Sequence, residues 1–205
     1  YSLTAGGGSG IKTLGGDVTV ANDFTIDTLV TTAMGGNDLT VTNATDIDGT
    51  LVVAGDTLTL DGTSDIDGTI TISTGIVDAN GTFDATSGFV TFTNVGNLTL
   101  FSTVIDLGTL TNNYSTVIYD GADQVVFSDV YYNLTAGGGS GTKTLGGNVT
   151  VENDLTIDTD VTISMDIYDL TVTDTTDIDG TLAVAGNTLT LDGASDSDGT
   201  ITICT

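Results

Sequence analysis

Apolar and polar residues alternate along most of this chain in runs of three to five positions, and the runs recur. Val18-Thr19-Val20, Phe24-Thr25-Ile26, Leu39-Thr40-Val41, Leu58-Thr59-Leu60 and Ile70-Thr71-Ile72 each set a threonine between two apolar residues. Such period-two alternation marks a strand with one buried face. Threonine, valine and isoleucine suit it, because β-branched side chains pack well on a pleated surface. No segment carries the 3.6-residue stripe of an amphipathic helix, so the pattern predicts an all-β chain with almost no helix. Gly49, Gly55, Gly62 and Gly68 punctuate the strands as turn residues.

The strands belong to repeats of two lengths. Tyr1 and the residues after it return at Tyr132, with Leu3 matching Leu134, an offset of 131 residues. The match runs without a gap from 1–74 onto 132–205 at roughly three quarters identity, a secure repeat signal. Residues 1–131 are thus one full long repeat, and 132–205 the first part of the next, continuous with it. A shorter period of 19 residues lies inside: Leu39 maps to Leu58, Val41 to Leu60, Ile47 to Ile66, Leu51 to Ile70 and Val53 to Ile72. Short strands with apolar residues in equivalent slots every 19 residues predict one coil of a parallel β-solenoid, stacked on the next at about 4.8 Å. A β-sandwich is the competing architecture, but it needs no such identical units.

Composition narrows the partners. The chain has 28 acidic residues against two basic ones, Lys12 and Lys143, no histidine, and a formal charge of −26. That surface repels phosphate, which excludes nucleic acid, and it repels anionic membrane surfaces too. A 39% hydrophobic content separates it from disordered acidic tails, because enough apolar surface exists to offset chain entropy. No run of about 18 apolar residues is present, so no membrane span is expected. Cys204 stands where the first repeat has Ser73, and reads as an incidental small residue. The chain starts at Tyr1 without methionine, as a processed product or an excerpt of a longer array would.

Asp-x-Asp-Gly is the most distinctive local motif: Asp46, Asp48; Asp65, Asp67; Asp177, Asp179; and Asp196, Asp198, each pair closed by glycine. With Ile47 inward, both neighbouring carboxylates point outward, and stacked coils set them in columns. Clustered hard oxygens suit Ca²⁺; aspartate before glycine also makes a plain solvated turn. Lys12 and Lys143 share one slot of the long repeat, open either to pairing with a neighbouring aspartate or to an isopeptide crosslink. Outward threonines resemble the ladders of ice-binding solenoids, though each strand is expected to offer only one. Sequons at Asn43, Asn80, Asn97, Asn113, Asn133 and Asn148 are common by chance in a chain this rich in threonine. The glycine-rich stretches 5–10 and 136–141 lack the Gly-Lys-Ser/Thr ending of a phosphate loop and read as wide turns between coils.

No histidine excludes the common nucleophile–base pairs, and two lysines are poor material for a polysaccharide lyase, so the chain is expected not to be an enzyme. In repeat style the whole chain resembles the long, acidic, Thr/Gly/Asn/Asp-rich β-strand-repeat proteins that bacteria and some archaea secrete as adhesins or surface fibres. That resemblance implies an extracellular or cell-surface structural role, self-association into filaments, and no catalytic residues. A calcium-stabilised module binding glycans or cell surfaces, through its acidic face or the stretch of Tyr119, Tyr131 and Tyr132, is the alternative.

Overall fold

The computed structural model describes residues 1–203; Cys204 lies outside the described residues. Two compact units are present, Tyr1–Tyr114 and Ser115–Thr205. Each is a parallel β-solenoid with no helix among the described residues.

In the first unit three parallel sheets form the faces. The first face stacks Leu3–Ala5, Phe24–Ile26, Thr45–Ile47, Ser64–Ile66, Phe83–Asp84 and Val104–Asp106. The second stacks Gly10–Thr13, Val30–Ala33, Thr50–Val53, Thr69–Ile72, Phe89–Phe92 and Thr109–Asn112. Val18–Val20, Leu39–Val41, Thr57–Leu60, Ile76–Ala79 and Asn97–Leu100 make the third. In the second unit the faces begin with Thr116–Tyr119, Gln124–Val126 and Val130–Tyr131, and run to Ser195–Ser197, Thr200–Ile203 and Leu189–Leu191 respectively.

Register follows the apolar pattern. Leu39 pairs with Leu58 and Val41 with Leu60, Ile47 with Ile66, and Leu51 with Ile70, all on parallel neighbours. All eight side chains are buried, in inward columns. Fully burying each leucine, isoleucine or valine contributes about 1.5–3 kcal/mol, and a one-residue slip would turn a whole strand's set outward. Apolar alternation therefore fixes the stacking.

Coil length varies around 19 residues. Leu58 follows Leu39 by 19, but Leu39 follows Val18 by 21, and Thr45 follows Phe24 by 21. The longer coils take their extra residues at corners. One such corner puts Leu29 at φ 68, and its repeat counterpart Asp160 at φ 66. The compact units divide at Tyr114, not at the repeat boundary near 131, because Thr116–Tyr119 and Gln124–Val126 stack directly on Asn133–Ala136 and Gly141–Leu145. The glycine-rich stretches join two strands of one coil, a corner and not a link between coils.

At the Asp-x-Asp-Gly corner successive coils approach closely. A Cβ on Gly68 would lie 2.0 Å from the Gly49 carbonyl oxygen, and one on Gly49 would lie 2.3 Å from that of Val30. Only glycine fits there, because the coil below leaves no room for a side chain. Gly55 faces open space apart from the Thr74 hydroxyl. Gly68→Ala is therefore expected to destabilise the first unit by about 2 kcal/mol or more, while Gly55→Ala stays within about 0.5 kcal/mol, as denaturant melts of both variants would show.

Candidate functional site

Stacking assembles the carboxylates into files. Asp46 pairs in register with Asp65, Asp65 with Asp84, and Asp84 with Asp106. The second unit repeats the arrangement with Asp177 opposite Asp196. Asp46, Asp48, Asp65, Asp67, Asp177, Asp179, Asp196 and Asp198 are all exposed. Asp84 and Asp106 extend the file although neither lies in an Asp-x-Asp-Gly motif, and the register shifts between Phe83 and Asp84 to bring them opposite each other.

Crowding of like charge shows in the protonation equilibria. Partial desolvation on the strand raises the Asp46 carboxyl above the usual carboxylate range, and Asp48, Asp65, Asp67 and Asp27 push in the same direction. Asp65 is raised likewise, first by desolvation and then by Asp67, Asp84 and Asp48. Asp177 follows the same order with Asp179, Asp196, Asp198 and Asp158. Yet among the described residues no group of three or more acidic or cysteine side chains is arranged to hold a metal ion. The files hold carboxylates in rows, one strand spacing apart. Two members of the first-unit file also hold local partners: Asp84 Oδ1 accepts from the Thr86 amide at 3.0 Å and hydroxyl at 2.6 Å, and Asp106 Oδ1 from the Gly108 amide at 2.8 Å. These are turn-forming bonds.

The two lysines share a repeat slot but not an environment. Lys143 is fully buried in the second unit. Its Nζ donates to the carbonyls of Gly121 and Ala122, the latter at 2.8 Å, so main-chain oxygens take the place expected for an aspartate or an asparagine side chain. Burial holds the amine below the usual lysine range, against the attraction of Asp120 and Asp123. Lys12 is exposed, in the first coil.

Two of the three tyrosines of the stretch lie in the core. Tyr119 and Tyr131 are both fully buried, because each occupies an inward strand position, and Tyr132 is half-buried. Their rings meet edge to face at 6.4 Å with hydroxyls 3.0 Å apart. Tyr119 Oη accepts from the Phe127 amide at 2.9 Å, and Tyr131 Oη donates to the Phe127 carbonyl at 2.7 Å. Burial pushes the Tyr119 phenol up to about 12, and Tyr131 is raised as well.

Threonine files are present, and the second face carries two of them. In the second unit Thr142, Thr162, Thr181 and Thr200 stack without interruption, beside Thr144, Ser164, Ala183 and Thr202. In the first unit Phe89 interrupts Thr50, Thr69 and Thr109. Each strand on this face thus offers two outward positions, more than the single threonine expected, but the second file loses its hydroxyl at Ala183.

Asparagine and aspartate side chains bridge neighbouring coils. Asp17 Oδ1 accepts from the Asp38 amide, and Asp38 Oδ1 from that of Thr57. The second repeat reproduces this with Asn148, Asp169 and Thr188. Four of the sequon asparagines join such bridges: Asn43 Nδ2 donates to Asp23, Asn80 Nδ2 to Asp61, Asn133 Nδ2 to Thr116 Oγ1, and Asn148 through its oxygen as above.

No helix among the described residues is long and apolar enough to cross a membrane. The chain matches no protein-family model, no curated protein and no solved structure.

Two outcomes follow. The raised carboxylates mean that the folded state is penalised at neutral pH and relieved as pH falls through those raised values toward 3.8. Thermal melts should therefore rise on mild acidification, and at neutral pH on adding NaCl. At the alkaline end Tyr119 works the other way: stability present below its ordinary 10.0 is lost as pH climbs through about 12, by about 3 kcal/mol. Lys143 opposes this, since its lowered value means stability gained as pH rises from there to 10.5. Denaturant midpoints of the second unit should rise and then fall with pH, and Lys143→Met should leave only the fall.

Proposed function

We propose that this chain is a structural, extracellular repeat protein, the shaft of a surface filament or adhesin fibre, and not an enzyme. The observation that carries the reading is the uniformity of the columns. Residue types in successive coils match inside and out: apolar over apolar in the core, aspartate over aspartate and threonine over threonine outside. A catalytic centre is a local exception to its scaffold, whereas here the acidic pairs are themselves the repeated element. Uniform coils serve length and stiffness, to which each repeat contributes alike. The acidic exterior adds solubility and suppresses lateral sticking of threonine-rich faces.

Calcium belongs to this reading only as a ligand of the aspartate files. Comparing CaCl₂ with NaCl at equal ionic strength separates binding from screening: a larger melting shift with calcium marks a specific site on Asp46, Asp65 and their neighbours. Glycan binding has less support, because Tyr119 and Tyr131 are in the core. Ice binding has less support too, because Ala183 and Phe89 break the hydroxyl array.

Negative-stain imaging of the purified chain tests the proposal. Thin filaments of uniform width are expected. Compact particles alone, at every concentration, would end the shaft reading.

A further inference from the structure

One surface of the first unit departs from the acidic character of the chain. The five strands of the second face from Val30–Ala33 to Thr109–Asn112 contain no charged residue. Alternation turns threonine, alanine, valine and Phe89 outward from them. By contrast the first face turns Asp46, Asp65 and Asp84 outward, and the third turns out Asp78. The second repeat keeps this exclusion while changing the residues: Ser164 matches Ala33, and Ala183 matches Val52, at the 131-residue offset. Elsewhere the same comparison brings acids in, with Glu152 matching Ala21, Asp160 matching Leu29, Asp166 matching Gly35 and Asp174 matching Asn43. Charge is admitted at those positions but not on this face.

Acids stand at the border of the face instead. Asp27, Asp48 and Asp67 occupy the corner that leads onto it, the last two immediately ahead of Gly49 and Gly68. In the next coil Ser87 holds that place ahead of Gly88. Phe89 follows, in register with Thr69 and Thr109, and it is 48% exposed. Val95, at the far border of the same coil, is 58% exposed. Residues 85–105 carry no charge at all, in a chain with 28 acidic residues. A phenyl ring thus stands out from a threonine sheet at the coil where the acid border lapses.

We infer that two copies of the chain meet side by side here, second face on second face, with the contact centred on Phe89. A charged or strongly polar partner would find only hydroxyls, methyls and one ring on the outward side of these strands. A second copy offers the same neutral surface with the same ridge spacing of about 4.8 Å, so ridges of one fit furrows of the other along the contact. Acid borders oppose each other across such a pair except at the Phe89 coil, and that sets the centre. Both copies use the same patch, so the contact closes as a pair and does not propagate. Five strands present roughly 24 Å by 13 Å, well under the about 800 Å² per partner of a stable complex, so the pair is weak and salt strengthens it by screening the borders. This pairing goes beyond the shaft reading and does not depend on it.

Sedimentation equilibrium of the unaltered chain, with reductant present to keep Cys204 from linking copies, is the first test. Dimers should form, with an association constant that rises at least about fivefold from about 50 to about 500 mM NaCl. Phe89→Asp and Thr71→Asp each bury two new charges in the contact and should lower that constant at least about tenfold, while Thr40→Asp on the third face leaves it within about twofold. Melting curves check that all three variants fold. A chain that stays monomeric at about 1 mM in high salt, or that pairs undiminished in both Phe89→Asp and Thr71→Asp, overturns the inference. Retention of a monomeric chain on microcrystalline cellulose, lost in Phe89→Asp, overturns it in favour of a flat neutral glycan. Threads without pairing overturn the pair and leave the shaft reading; dimers that never lengthen support the pair and remove the shaft.

Discussion

Successive coils lie about one strand spacing apart, and nearly everything else in the molecule answers to that distance. Where an inward column is apolar, the spacing buries it continuously. At the Asp-x-Asp-Gly corner the same spacing admits no side chain, so Gly49 and Gly68 face a carbonyl of the coil below at a distance no Cβ could tolerate. Where carboxylates point outward, it sets them against the strand and one another, and Asp46 and Asp65 hold protons more tightly, first through desolvation and then through like charge. Core, corners and electrostatics are thus three responses to one dimension.

That common origin separates the structural from the chemical content of the Asp-x-Asp-Gly motif. Its glycine is explained by close approach and its central Ile47 or Ile66 by the core. Its aspartates, of which Asp46, Asp65 and Asp177 are raised in pKa by desolvation and then by neighbouring carboxylates, are a charge the fold tolerates at the solvent boundary. The motif is chiefly the signature of a tight corner.

The fold was legible because its signal is redundant: Leu39 and Leu58 announce their pairing through many parallel correspondences at the same offset. Less redundant features were hidden. Asp84 joins the carboxylate file only through pairing with Asp65, and no local motif marks it. Lys143 looks like a surface residue by type; its burial follows from an inward parity shared with Leu145, which alternation along Gly141–Leu145 could have revealed. The same parity argument applied to Thr116–Tyr119 would have placed Tyr119 in the core with Val117. Sequence type misled where strand phase would have corrected it.

The bridges from Asp17 to Asp38 and from Asp38 to Thr57, mirrored at Asn148, Asp169 and Thr188, have a direction. In this file the accepting oxygen always belongs to the earlier coil and the donating amide to the later one. A polypeptide emerging with its N-terminus leading would find each acceptor already positioned when the next turn arrives. Winding could then proceed as a zipper in the order of synthesis or export, with every completed turn serving as the mould for its successor.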